Sequence, residues 1–388
     1  MGASDSTWKI SLADIDFGVD EEVAVVDVLR SKWLTMGART AEFERQFAEA
    51  VGATHAVAVN NCTAALHLAL DAVGVKPGDE VIVPALTFVA TANAVLYCGG
   101  TPVFGDVSGA ARLSLDPDDV ARKITPRTRA IVPVHYAGYS CDLDAFRTLA
   151  RAHGVALVED AAHAPGASFK GQPIGSIGDV TCFSFFSNKN LSTGEGGMIT
   201  TQDDAIASRL RLNRSHGMTT LTYERHKGHA FSYDVISAGY NYRLTELQSA
   251  LGIVQLGKLT RNNGIRRGLV GEYRRLLAAI PGLTVPFDGM DQESACHIMS
   301  IVLPEGVERE MVQLAMKAAG IQTSVHYLPV HRFSNFAGRF PADVPHVERL
   351  ASRFLTLPLH PLMTNDDVAT VCDALAASVA AALRTVAH

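Results

Sequence analysis

Residues 181–200 read TCFSFFSNKNLSTGEGGMIT. An apolar run ends at Ser184 and a lysine stands at position 189. The glycine-rich turn Gly194-Glu195-Gly196-Gly197 follows, and a second apolar run begins at Gly197. Strand, turn and strand is the local reading. It pins Lys189 between a sheet and a turn. The plain alternative is a surface lysine, since most lysines are exposed. Against it, Phe183, Phe185 and Phe186 surround the approach and would desolvate the amine. Desolvation lowers a lysine pKa and suits the amine to Schiff-base chemistry.

Upstream, residues 155–167 read VALVEDAAHAPGA. Four apolar residues run into Glu159-Asp160. In open α/β sheets ligands sit beyond the carboxyl ends of strands. Asp160 would lie there, partly buried, and a buried carboxylate needs a partner. A protonated ring nitrogen, a metal and a structural arginine all qualify. Further upstream, residues 55–70 read HAVAVNNCTAALHLAL. A strand ends at Asn60-Asn61 and a helix opens at Thr63-Ala64. Amides at a helix start, with a hydroxyl cap, suit an anion such as phosphate, and an ordinary capped helix has the same look. Neither GxGxxG nor GxxxxGK[ST] occurs, which argues against dinucleotide and nucleoside-triphosphate sites. A lysine for an imine, an aspartate for a pyridinium nitrogen and a helix start for a phosphate are together what pyridoxal phosphate requires.

Around these segments, short apolar runs alternate with helical ones. Strands are expected at His55–Val59, Glu80–Val83, Thr101–Asp106, Ala130–Val134, Ala156–Glu159, Val180–Phe185 and Gly197–Thr200. Helices are expected at Thr63–Val73, Asp116–Lys123 and Leu143–His153. This alternation predicts an α/β fold with a mostly parallel sheet between helices. Residues 81–105 carry no charge, yet Pro84, Gly99-Gly100 and Pro102 break the stretch into strand, helix and strand rather than a membrane span. Past residue 245 the pattern changes. Helical runs at Leu244–Arg261 and Ile265–Ala279 precede strands near Ile298–Leu303 and Thr323–Tyr327, a helix near Arg309–Ala319 and a last helix over Asp366–Val386. The expected division is a large cofactor-binding α/β domain over 1–250 and a small α+β domain over 251–388.

The 388 residues carry 34 basic and 40 acidic side chains, a net charge of −6, with 47% hydrophobic and 19% charged residues. That is a globular composition without the basic field of a nucleic-acid binder. The six cysteines are widely spaced, with no Cys-x-x-Cys pair, which fits a reducing compartment better than a disulfide scaffold. The first residues do not read as a secretory signal. A cytoplasmic protein with no membrane and no nucleic-acid partner is expected. His326 and His331 invite a metal reading, but no third ligand stands at a fitting spacing, and no metal is expected.

The segments NCTAALHLAL, PALTFVATANAV, PVHYAG, VEDAAHAPGA, SNKNLSTGEGGM and GYNYRLTELQSALG resemble the sugar aminotransferases of the DegT/StrS type, which are fold-type I pyridoxal-phosphate enzymes. The likeness runs from WLTMG at 33–37 to the C-terminal helix and includes HYLPVH at 326–331. The resemblance implies that Lys189 is the Schiff-base lysine and proton shuttle. It implies that Asp160 holds the pyridine nitrogen protonated and that Phe88 stacks on the ring. His163 would contact the ring or its phenolate oxygen. Thr63, with the backbone of Cys62 and Ala64, would bind phosphate together with Ser184. Asn241 would reach the phosphate of a neighbouring subunit, so that active sites are shared in a homodimer. Thr35, His326 and Tyr327 match substrate-side positions. Position 62 is Cys where Gly or Ala is common, and Phe186-Ser187-Asn188 precedes the lysine where many relatives carry His and a small residue. A dehydratase branch replaces the lysine with His, so Lys189 favours transamination. The implied substrates are glutamate as amino donor and a nucleotide-linked keto-sugar, with a lean towards carbon 4. The weighed alternatives are sugar dehydration or elimination on the same cofactor, and a non-catalytic sensor.

Overall fold

Seven strands build the central sheet of the computed structural model, which describes residues 8–219 and 232–386. They are β1 (His55–Val59), β2 (Glu80–Pro84), β3 (Thr101–Gly105), β4 (Thr128–Ile131), β5 (Ala156–Asp160), β6 (Val180–Ser184) and β7 (Gly197–Thr201). Their order is β1-β7-β6-β5-β4-β2-β3. β7 runs antiparallel to both of its neighbours, and the remaining pairs are parallel. β2, β6 and β7 are buried along their whole length. That is the pattern of strands covered by helices on both faces.

The covering helices of this unit are α1 (Val19–Ser31), α2 (Ala38–Val51), α3 (Cys62–Ala72), α4 (Val89–Tyr97), α5 (Pro117–Lys123), α6 (Leu143–His153) and α7 (Asp204–Arg214). α8 follows over Glu246–Leu277. The charge-free stretch at 81–105 is thus β2, α4 and β3. Among the described residues no helix is long and apolar enough to cross a membrane.

Register decides where the site falls. Val59 and Ser184 both pair with Gly197, and Asp160 pairs with Cys182. The carboxyl ends of β1, β5 and β6 therefore meet the start of β7 at one edge of the sheet. Only glycine fits at 197, because a Cβ there would stand 2.7 Å from the Asn61 carbonyl carbon and 2.9 Å from the Cys62 nitrogen. The start of α3 is thereby held against the sheet edge.

α8 is one helix, where the sequence suggested two, and the 250/251 division falls inside it. Its start is a capping box between Thr245 and Gln248. Its first-turn Glu246 is buried and satisfies another helix: its carboxylate accepts from the amides of Gly37 (2.8 Å), Arg39 (2.8 Å) and Thr40 (2.9 Å) and from the Thr40 hydroxyl (2.8 Å). These are the orphan donors at the start of α2. α8 packs on α1 and α2 near its start. It also packs on α11 (Asn365–Val386) of the C-terminal layer, which includes α9 (Arg309–Ala318) and α10 (Pro345–Leu350).

The two C-terminal strands are β8 (Met299–Val302) and β9 (Phe354–Leu357), paired antiparallel. The sequence reading placed the second strand at Thr323–Tyr327 instead. Ser324 makes a single bridge with Thr356. The chain then leaves towards Pro329, and the Val330 amide bonds to the Ala85 carbonyl at 2.9 Å. That segment crosses to the large sheet rather than staying in the small one.

Candidate active site

A cavity of about 430 Å³ opens at the sheet edge just described. The start of α3, the end of β5, the turn after β6 and the segment at His326-Tyr327 enclose it. Cys62, Thr63, Phe88, Asp160, His163, Ser184, Lys189, His326 and Tyr327 all line it. These residues lie up to hundreds of positions apart in sequence and converge through the register.

α3 begins at Cys62, one residue earlier than expected. Its cap is the Asn61 side chain, whose oxygen accepts the Ala64 amide at 2.8 Å. The expected hydroxyl cap is therefore an amide cap. Ala64 commits its N–H to that cap and does not line the cavity. Cys62 and Thr63 stand in the first turn, where N–H groups lack intrahelical partners and favour an anion.

Alternation along β5 splits the Glu159-Asp160 pair between the two faces of the sheet. Glu159 is fully buried behind the site. One of its oxygens accepts from the Gly178 amide (2.6 Å) and the Thr181 hydroxyl (3.1 Å). The other is 2.8 Å from His135 Nε2. His135 Nδ1 accepts the Cys141 amide, so its ring proton sits on Nε2 and is donated to Glu159. Asp160 faces the cavity at 4% exposure. It accepts the Thr91 hydroxyl at 2.8 Å and the Ala162 amide at 3.1 Å. Burial raises its pKa, against the pull of the Thr91 and Ala162 hydrogen bonds and of Lys189.

Lys189 follows β6 in a turn closed by its own amide on the Phe186 carbonyl, 2.9 Å. Burial lowers its pKa to about 8, while Asp160 works in the other direction. The aromatic approach expected around it is only partly there. Phe186 lines the cavity, but Phe183 and Phe185 point to the opposite face, where they pack with Phe43 and Phe47. Period-two geometry gives Cys182 and Ser184 to the site face instead.

His163 accepts the Ala137 amide at Nδ1 (3.2 Å), so its Nε2–H donates to the Tyr327 hydroxyl (2.7 Å). Burial first, then Lys189, pushes its pKa well below the ordinary histidine value. The Tyr136 hydroxyl donates to the His326 carbonyl and fixes that backbone. His326 Nδ1 lies 3.0 Å from Thr356 Oγ1, whereas His331 pairs with Glu348 at 2.5 Å. The two histidines of HYLPVH thus serve separate contacts. Phe88 caps α4 at 56% exposure, its ring 5.7 Å from that of Tyr327.

Thr35 and Asn241 do not line the cavity of this chain; both are exposed. Asn241 bridges to Ser215 through the backbone. Residues the sequence reading missed are Thr91, Asn188 and His297. Thr87 and Thr91 lie one helical turn apart inside the quoted PALTFVATANAV, so a signal for Thr91 existed. The buried Oδ1 of Asn188, at the cavity wall, has no hydrogen-bond partner among the described residues. His297 carries no local motif, and its ring lies 3.3 Å from Lys189 Nζ.

A desolvated amine, a buried carboxylate and a helix start share one cavity, and an unpartnered amide oxygen waits in its wall. These groups fit pyridoxal phosphate. The bound cofactor supplies an aldehyde carbon for amine exchange and an electron-withdrawing ring. Fold and site together define a pyridoxal-phosphate-dependent aminotransferase of fold type I. The profile of the DegT/DnrJ/EryC1/StrS aminotransferase family matches residues 16–376, and the chain belongs to that family. The spore coat polysaccharide biosynthesis protein SpsC of Bacillus subtilis is 44% identical over 366 residues, covering 92% of this chain and 94% of that one. Spr1654 of Streptococcus pneumoniae, solved in its PMP form, superposes with a TM-score of 0.89 at 29% identity, covering 97% of this chain and 99% of that one. DesI, solved in the presence of its TDP-sugar product, superposes with a TM-score of 0.88 at 33% identity, covering 100% and 96%. The protein is a sugar aminotransferase.

Proposed function

We propose that this chain moves an amino group from glutamate to a nucleotide-linked keto-sugar, with a ketone at carbon 4 as the first candidate. The observation that carries the reading is the pairing of Lys189 and Asp160 in one cavity. The lysine pKa is lowered to about 8 and the carboxylate stands behind it. An amine with a pKa near working pH takes and gives a proton with little bias, which is what a proton shuttle needs. Asp160 would hold a proton on the ring nitrogen. Thr63, Ser184 and the amides of Cys62 and Thr63 would bind the phosphate, and Phe88 would cover one face of the ring. His326 and Tyr327, which line the same cavity, would meet the sugar. The product named in the DesI structure supports a nucleotide-linked substrate.

The exposed position of Asn241 supports a homodimer in which each subunit lends this residue to its partner's phosphate site. Cofactor cycling between pyridoxal and pyridoxamine phosphate belongs to the same proposal, as does work in the cytoplasm. The deciding experiment is an absorbance spectrum of the purified protein before and after glutamate, followed by a panel of keto-sugar nucleotides. A spectral shift with release of 2-oxoglutarate, then a sugar-amine product, is expected. No shift with glutamate, while another amino acid produces one, would refute the donor. Product formed only from free sugars would refute the nucleotide link.

A further inference from the structure

His297 stands just before β8 and is 4% exposed. Its Nε2 is 3.3 Å from Lys189 Nζ, and its Nδ1 is 2.9 Å from Asn190 Oδ1. The surrounding hydrogen bonds decide which nitrogen carries the proton. The Asn190 amide nitrogen has two hydrogens and two acceptors, Asn263 Oδ1 and the Ala295 carbonyl, each at 2.7 Å. Asn263 is itself oriented, since its amide nitrogen donates to the Pro165 carbonyl at 3.0 Å. Asn190 Oδ1 is therefore an acceptor, and His297 donates to it from Nδ1. Nε2 keeps its lone pair, directed at the lysine amine.

We propose that His297 is the positioning residue for Lys189: a neutral imidazole, locked by Asn190, whose Nε2 accepts a hydrogen bond from Nζ and so sets the direction of the free amine and helps hold its proton. The inference rests on the reading of Lys189 as the amine that reacts with the cofactor. The groups facing the pair agree with it. Asp160 and Cys62 face Lys189, and the Cys62 thiol is kept protonated by burial. His163, His326 and Arg266 face His297. Arg266 spends its guanidinium on the carbonyls of His297 (3.1 Å) and Leu359 (2.8 Å). A second positive charge on His297, between that cation and the lysine, is disfavoured by burial and by both neighbours. A neutral acceptor bonds an ammonium more strongly than a free amine. It therefore opposes the effect of burial on Lys189.

The test uses the full chain stripped of cofactor. Capture of pyridoxal phosphate is followed by absorbance between about pH 6 and 10, and the adduct is located by borohydride reduction and mass spectrometry. The rate should rise with pH through the ionisation of Lys189. His297→Asn keeps a donor for Asn190 but presents nothing at Nε2, so the midpoint should fall by about one pH unit. His297→Gln restores an acceptor and should return the midpoint towards that of the unaltered protein. An unshifted midpoint in His297→Asn, with the adduct still on Lys189, overturns the role of His297 and leaves Lys189 standing. No adduct on Lys189 in the unaltered protein overturns both. A nitrogen-15 spectrum of histidine-labelled, unaltered protein decides the matter without any variant. The Nδ1–H tautomer at neutral pH is expected for His297, and an Nε2–H tautomer or an imidazolium overturns the proposal.

Discussion

Thr91→Val isolates how the Asp160 carboxylate is tuned. Among the described residues Asp160 has two donors, the Thr91 hydroxyl and the Ala162 amide. Thr91 has a single proton, and Thr87 Oγ1 lies 2.8 Å away. If Thr91 gives its proton to the carboxylate, Thr87 must donate to Thr91, and the two threonines form a short relay ending at Asp160. Valine matches threonine in shape, so the substitution removes the hydroxyl and little else. A hydrogen bond to a charged group contributes about 1.5–3 kcal/mol. At about 1.4 kcal/mol per tenfold, its loss weakens whatever depends on an ionised Asp160 by about ten- to hundredfold. The lower end is expected, because the Ala162 amide remains. The sign is fixed: burial already raises the Asp160 pKa, Thr91 lowers it, and its removal raises it further. The assay is titration of cofactor-stripped protein with pyridoxal phosphate at neutral pH. Thr91→Ser, which keeps the hydroxyl, serves as control. Thr91→Val should bind about tenfold more weakly and Thr91→Ser within about twofold of the parent. Parental affinity in Thr91→Val, alongside a large loss in Asp160→Ala, would refute the relay.

Lys189→Ala should abolish transamination while leaving a folded protein, checked by product analysis and circular dichroism; sugar-amine at near-parental rate would sink the lysine mechanism. If sites are shared, mixing inactive Lys189→Ala with Asn241→Ala subunits should restore part of the activity through hybrid dimers that hold one intact site, and no restoration after confirmed exchange would count against Asn241. Glu246→Ala strips four donors at the start of α2 of their buried acceptor. A loss of about 3 kcal/mol in denaturant unfolding is expected, and a change below about 1 kcal/mol would contradict it. His163, His297 and His326 are held below the ordinary value of 6.5 by burial first, His326 down to about 4. Below 6.5 the unfolded chain takes up protons that the folded one refuses. The contribution of these three histidines should therefore be full above that pH and fall between about 6.5 and 5, by about 1.4 kcal/mol per pH unit for each. Melting temperatures across this range should slope upward with pH, and less steeply in His326→Gln; a flat profile would remove the histidine contribution.

The parts of the site legible in the sequence are those whose chemistry is announced by a local pattern. Lys189 sits between an apolar run and a glycine turn, Asp160 ends an apolar run, and Cys62-Thr63 opens a helix after a strand. Each pattern reports a strand end, and ligands gather at strand ends in this kind of sheet. The orientation of side chains along a strand was less legible. Phe183 and Phe185 look like walls around Lys189, yet Ser184 faces the site and both phenylalanines face away. An apolar run buried on two faces gives no alternation from which to choose. The C-terminal pairing was misread for a related reason. Thr323–Tyr327 (TSVHY) has β-branched and aromatic residues that suit a strand, as Phe354–Leu357 (FLTL) does, and only tertiary packing decides which one joins β8.

What the sequence could not announce are contacts whose two ends have no common motif. His297 lies 108 positions from Lys189, in the segment SACHIMS (294–300), which holds no glycine and no charged residue. The fold joins them because β8 and α8 bring Ala295, Asn263 and Asn190 to one point, each satisfying the polar groups of the next. Such a chain is costly unless every member is paired. Its members are neutral amides, a carbonyl and an imidazole, so it orients the lysine without adding charge to the cavity. The carboxylate of Asp160 and the amine of Lys189 are thereby left as the pair whose ionisation the site can use. Glu159, the one other carboxylate on this strand end, is turned to the opposite face and occupied by Gly178, Thr181 and His135. The local sequence Glu159-Asp160 offers two acids side by side, and the pleat of the strand delivers only one of them to the chemistry.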